Sequence, residues 1–158
     1  MASNSATLPS QAAKPSHYFE VKAGSSPQPA VVLAGRLLFS LIFVFASLGH
    51  FSHREIAFAA QQGVPLASLA VPFSGVMALL GGLSVLLGYK AKWGAWLLIA
   101  FLLPVTLMLH QFWAVKDPMM AQMQMAMFLK NVSIMGGALL ISQFGAGPLS
   151  LDARRSKG

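Results

Sequence analysis

With 158 residues, 56% of them hydrophobic and only 9% charged, the chain has one domain's length but too few charges to coat a soluble surface, which takes roughly a quarter. Much of its exterior must therefore face lipid, and a formal net charge of +7, scattered between apolar blocks with no basic helix face or aromatic–basic platform, argues against nucleic acid as the partner. The absence of cysteine removes disulfides, thiolate nucleophiles and cysteine-held metal or iron–sulfur centres.

Residues 1–29 are polar and broken by Pro9, Pro15, Pro27 and Pro29, with no period, and read as a disordered tail. They hold no apolar run of the kind a secretory signal needs. Four apolar blocks follow, at about 30–48, 69–87, 93–113 and 124–144. Each is roughly 20 residues, which at ~1.5 Å per residue spans a hydrocarbon core of about 30 Å. Backbone groups in lipid must be satisfied within the segment, so the expected fold class is all-α, a four-helix transmembrane bundle over residues 30–145 with a basic tail at 146–158. Tyr89–Lys92 reads as a tight turn, and residues 114–123, with Asp117-Pro118, as a loop. The longest link, 50–68, carries the turn signal Gly63-Val64-Pro65, and within it Ser52–Gln62 either prolongs the first helix or lies at the interface. Small residues at Ser74, Ala78 and Gly82, and at Ser133 and Gly137, are spaced for close helix approach, or reflect only how common they are in membrane helices.

Lysine and arginine counts set the expected orientation. Lys14, Lys22, Lys90, Lys92, Arg154, Arg155 and Lys157, with Arg36 at the mouth of the first helix, fall on one side of a four-span chain; Arg54 and Lys116 fall on the other. The positive-inside rule then places both termini in the cytoplasm, in the cytoplasmic (inner) membrane if the cell is bacterial.

Polar side chains inside apolar blocks are the candidate functional residues. His50, His53, His110, Gln111, Lys130 and Asn131 come from three helices and share the outer half of the membrane. Together they suit an anion, a quinone head-group or a small polar substrate. Competing readings accompany each: Lys130 and Arg36 as snorkelling cations, with phospholipid contact for Arg36, and His110 as a belt residue beside Trp113. Met119, Met120, Met123, Met125 and Met127 crowd one segment; thioethers suit Cu(I), but no histidine lies among them, so no metal is expected and Met123 and Met127 are only weak ligand candidates. Hydrolysis has no support: the four acids, Glu20, Glu55, Asp117 and Asp152, lie in tails or loops.

The ordered set GRLLFSLIFVFASLGHF (Gly35–Phe51), GVP, LLGGLSVLLGYKAKWGAWLL, HQFW, FLKN and GPLSLD resembles the DoxX family over about Gly35–Asp152. That resemblance implies a four-helix membrane protein similar to a subunit of archaeal thiosulfate:quinone oxidoreductase. It brings Arg36, His110, Trp113, Lys130 and Asn131 forward as site residues. Two departures stand out: His50 where members often carry Lys, and Ala78 where they often carry Glu. The implied function is a membrane subunit or anchor of a quinone- or oxidised-sulfur-linked redox system, beside an oxidoreductase partner, with quinone as the one cofactor suggested and no catalysis by the chain alone. The alternatives are a small transporter or permease acting as a homo-oligomer, and a structural membrane protein without ligand.

Overall fold

The structure, a computed structural model, describes residues 28–156. The expected tail falls, up to residue 27, outside the described residues, as does Lys157. Six α-helices run in the order α1 (Pro29–Gly49), α2 (His53–Gln61), α3 (Ala67–Leu87), α4 (Ala91–Leu109), α5 (Pro118–Phe144) and α6 (Leu151–Arg155), with a 3-10 turn at Phe112–Ala114. Helices α1, α3, α4 and α5 are long and apolar enough to cross a membrane, α4 together with the turn that follows it. The described residues are thus an all-helical, multi-pass membrane domain.

The local starts and stops explain where helices depart from the apolar blocks. Helix α5 begins at Pro118, not near residue 124. Asp117 accepts a hydrogen bond from Met120 N–H at 2.8 Å, and proline at the first helical position gives up no bond. The Asp117-Pro118 pair is therefore a helix start rather than part of a loop. Helix α4 ends at Leu109, because His110 leaves helical backbone (φ −118°, ψ 49°), and the block's last residues form the separate 3-10 turn. Residues 53–61 do not prolong α1; Ser52 caps them by accepting from Glu55 N–H at 3.3 Å, and the short helix packs on α3.

Neighbouring spans pack α1 on α3, α3 on α4 and α4 on α5. Phe43, Ala78, Val85, Ala95, Leu98, Phe101, Leu102 and Ala138 form the core between them. Two glycines of α3 set the closeness of its neighbours. A Cβ on Gly82 would come within 2.9 Å of Phe43 Cβ on α1, and one on Gly81 within 2.7 Å of Leu98 on α4. Of the small residues singled out, Ala78 is buried and Gly82 meets α1, and Gly137 faces Phe39. Ser74 instead donates to Val71 C=O, and Ser133 is exposed.

The ends of all four spans meet in one polar knot. Arg36 of α1, 7% exposed, donates from Nε to Leu86 C=O at 3.2 Å and from its two terminal nitrogens to Ala146 and Leu149 C=O, each at 2.7 Å. Leu86 lies in the last turn of α3; Ala146 and Leu149 follow α5. Asp152 closes the ring: its carboxylate accepts from Lys90 and Ala91 N–H at 2.8 and 3.1 Å, capping α4, while its own N–H donates to Gly88 C=O. Gly88 sits in the middle at φ +64°, where an added Cβ would strike Ser150 and Arg36. Conformation and space both demand glycine there.

Arg36→Met should therefore lower stability in detergent micelles by roughly 3–5 kcal/mol, since three carbonyls lose a charged donor at once. Ser40 gives the contrast: its Oγ is buried without a partner, so Ser40→Ala should be neutral or stabilising by up to about 1 kcal/mol. Thermal or denaturant unfolding of both variants measures this, and an unperturbed Arg36→Met would show the knot to be dispensable.

Candidate functional site

Helices α1 and α5 flank an opening whose floor is α4. Phe39 of α1 lies against Gly137 of α5. Beyond that contact, away from the knot, a cavity of about 150 Å3 is walled by Ile42, Phe43 and Ala46 from α1, Phe101, Leu102 and Val105 from α4, and Ile134 from α5. Four polar residues complete it: His50, His110, Lys130 and Asn131.

Each arrives by a local rule. His50 caps the end of α1, where its Nδ1 lies 2.9 Å from Ala46 C=O. A carbonyl only accepts, so Nδ1 carries the proton and Nε2 of the neutral ring is left as an acceptor. The imidazole meets Phe101 edge-on at 5.6 Å, and its Cβ packs where Gly75 of α3 leaves room. His110, just past α4, places Nδ1 2.8 Å from Gln124 Oε1, which fixes the level of α5 against α4. Asn131, 5% exposed, faces inward from α5 one residue beyond Lys130. Lys130 is six residues past Gln124, about 9 Å deeper at 1.5 Å per residue. Its Nζ lies 3.4 Å from Met127 Sδ, a weak acceptor.

The other sequence candidates are placed elsewhere. Arg36 is not in this cavity; it is committed to carbonyls at the opposite end, facing protein rather than phospholipid. Gln111 donates from Nε2 to Leu107 C=O and is exposed. Trp113 stacks edge-on with Phe112 and Phe128 at 5.0 and 5.9 Å, pinning the 3-10 turn to α5 without lining the cavity. His53 opens α2 and is exposed. Met119, Met120, Met123 and Met127 share an arc of about 100° on α5, and all are exposed. The Lys130 ammonium beside Met127 opposes a metal cation there, and among the described residues no group of three or more His, Cys, Asp or Glu is placed to hold one.

Chemically the cavity offers donors from Lys130 and Asn131 and a histidine nitrogen lone pair over an apolar floor. Among the described residues no carboxylate lines it. Gln124 is, from the sequence, one of the polar residues that open the last helix, but not one of the cavity candidates. Nothing in its spacing announces a partner on another helix; only the early start of α5 brings it level with His110.

The family model of the SURF4 family matches residues 9–157. The chain is 30% identical over 140 residues to inner membrane protein YphA of Escherichia coli K12, covering 87% of this chain and 96% of that one. Identity to inner membrane protein YqjF of the same organism is 25% over 126 residues, 80% and 92% of the two chains. ER-derived vesicles protein ERV29 of Saccharomyces cerevisiae is 30% identical over 83 residues, 52% of this chain and 26% of that protein. No solved structure matches. The resemblance to the DoxX family is thereby overturned, since the SURF4 match takes in every segment that carried it. Several of those segments build the fold: Gly81-Gly82 form helix seams, and Gly147–Asp152 with Arg36 form the knot.

The His110–Gln124 contact is testable by itself. His110→Leu and Gln124→Leu should each lower stability by about 1 kcal/mol, with a coupling of similar size in the double-mutant cycle. Strictly additive losses would show that the two side chains do not meet.

Proposed function

The chain belongs to the SURF4 family, an integral membrane protein of several spans, and from that premise we propose that it holds a small amphiphile by its head-group in the cleft between α1 and α5. The observation that carries this reading is the convergence of His50, His110, Lys130 and Asn131, from three spanning segments, on one apolar-floored cavity. A cavity of about 150 Å3 in an apolar core is the size that takes a benzene ring. The ligand is therefore a ring-sized head-group whose oxygens accept from Lys130 and Asn131, its apolar remainder lying along Ile42, Ala46 and Ile134. A quinone head-group satisfies those requirements. A partner oxidoreductase is not part of the proposal, because it rested on the DoxX resemblance.

Two further features support binding over transport or catalysis. The cavity lies between two helices on one side of the domain, so a path across the membrane would need a second copy. It also lacks the carboxylate that proton-coupled transport calls on. Orientation follows from charge: Lys90, Lys92, Arg154 and Arg155 share the end with the knot, Arg54 and Lys116 the other, so we place both termini in the cytoplasm and the cleft in the outer half. The two Escherichia coli relatives are named as inner membrane proteins, and we assign this chain the same membrane.

The test uses the purified full-length chain in nanodiscs, titrated with a short-tailed benzoquinone. Lys130→Met and Asn131→Leu should each weaken binding about tenfold to a hundredfold, the size of one lost hydrogen bond to a charged or buried partner. Trp113→Leu should leave it unchanged. Absence of binding by the wild type, or binding indifferent to both cleft variants, would overturn the reading.

A further inference from the structure

The end of the molecule that carries the knot has a second cavity, independent of the cleft and of different chemistry. About 460 Å3 of space opens between the start of α4 and the end of α5, beside α6, with Lys90 and Lys92 on one wall and Phe144 and Gly145 on the other. The lysines are there because the turn after α3 is short: Gly88 and Lys90 both take left-handed backbone, and α4 starts at once. Lys92 runs its stem beside Gly145, whose Cβ, if present, would lie 3.6 Å from Lys92 Cε. The one carboxylate lining the cavity, Asp152, is engaged by two backbone N–H groups as the α4 cap. Arg155 stands next to the site, its guanidinium 5.4 Å from the Tyr89 ring, and Arg154 adjoins it in sequence. Two lysines thus line the cavity beside one occupied acid.

The walls below the charges are apolar and uncovered. Trp93 on α4 is 75% exposed and Phe144 on α5 is 78% exposed. One turn deeper, Trp96 and Leu140 continue the same exposed surfaces along both helices. Side chains of this kind next to lysines at the end of a spanning helix mark the level of lipid head-groups.

We propose that this cavity is a binding site for an anionic phospholipid, its phosphate between Lys90 and Lys92 and its acyl chains along the α4–α5 seam past Trp93 and Phe144. A soluble phosphate would satisfy the lysines and leave the aromatic walls bare; a zwitterionic lipid would cover the walls and leave the charge uncompensated. Basic pockets between spanning helices at the positively charged face select anionic head-groups for this reason.

The full-length chain in nanodiscs of phosphatidylcholine, with and without a quarter of phosphatidylglycerol, tests the site. Native mass spectrometry after extraction into neutral detergent should show phosphatidylglycerol retained over phosphatidylcholine. Lys90→Asn, chosen because asparagine tolerates left-handed backbone, combined with Lys92→Gln should lower that retention about thirtyfold. The melting temperature in phosphatidylcholine alone should stay unchanged. In a variant keeping Trp93 as its one tryptophan (Trp96→Phe, Trp113→Phe), brominated phosphatidylglycerol should quench fluorescence more than brominated phosphatidylcholine. Equal retention of the two lipids, retention unaffected by the double substitution, equal quenching by the two brominated lipids, or full displacement by glycerol phosphate in solution would each overturn the proposal.

Discussion

Arg36 is the charge around which the chain is organised. A guanidinium inside a spanning helix is stable only where its N–H groups find acceptors, because the hydrocarbon offers none. Here the acceptors are carbonyls that would themselves be short of donors: Leu86 in the last turn of α3, and Ala146 and Leu149 in the irregular stretch after α5. The planar, forked geometry of arginine lets one side chain reach three carbonyls on two segments, which a lysine ammonium on a single stem does less well. Asp152 adds the fourth helix by capping α4 from the same stretch. One cation and one anion, which never touch through a direct side-chain bond of their own, thus fasten the ends of α1, α3, α4 and α5.

The cleft follows from that fastening. The knot and the Phe39–Gly137 contact hold α1 and α5 together near one end. Their backbones are otherwise not close neighbours, since each packs along its length on α3 or α4 instead. Beyond Phe39 the gap between them is roofed by nothing heavier than Ile42, Ala46 and Ile134, and the polar residues of the far end look into it. Gly75 and Gly82 bring α3 close to α1, and Gly81 and Gly94 bring it close to α4, while the cleft lies on the seam between α1 and α5.

Much of this was legible in the sequence, for physical reasons that also set the limits. Hydropathy gives the spans because lipid demands long apolar helices, and an intramembrane polar residue is conspicuous at any resolution. His50, His110, Lys130 and Asn131 were therefore found without coordinates. Arg36 was placed at the mouth of the first helix but read as a snorkelling cation or a site residue, because its carbonyl partners lie 50, 110 and 113 residues away. The start of α5 was missed because Asp117, Pro118, Gln122 and Gln124 lowered the hydropathy there; the Asp-Pro pair was the better signal, a cap followed by a residue suited to the first turn. The family likeness misled because segments such as LLGGLSVLLGYKAKWGAWLL and GPLSLD encode seams and the knot, and a four-span fold can be shared without its chemistry.

Arg36 and Lys130 are the two cations set well inside spanning helices, and their partners differ. Arg36 gives hydrogen bonds to three carbonyls, two of them at 2.7 Å. Lys130 reaches only a thioether, with a cavity beside it and an inward-facing amide as neighbour. Lys130 is exposed on the bundle surface, and an ammonium held there by so weak an acceptor gains from whatever brings an oxygen to it. Sulfur at 3.4 Å does that poorly; an acceptor-bearing head-group in the cleft does it well. Arg36 thus meets the demand of the membrane with three carbonyls of its own chain, while for Lys130 the proposed cleft ligand would supply the oxygen.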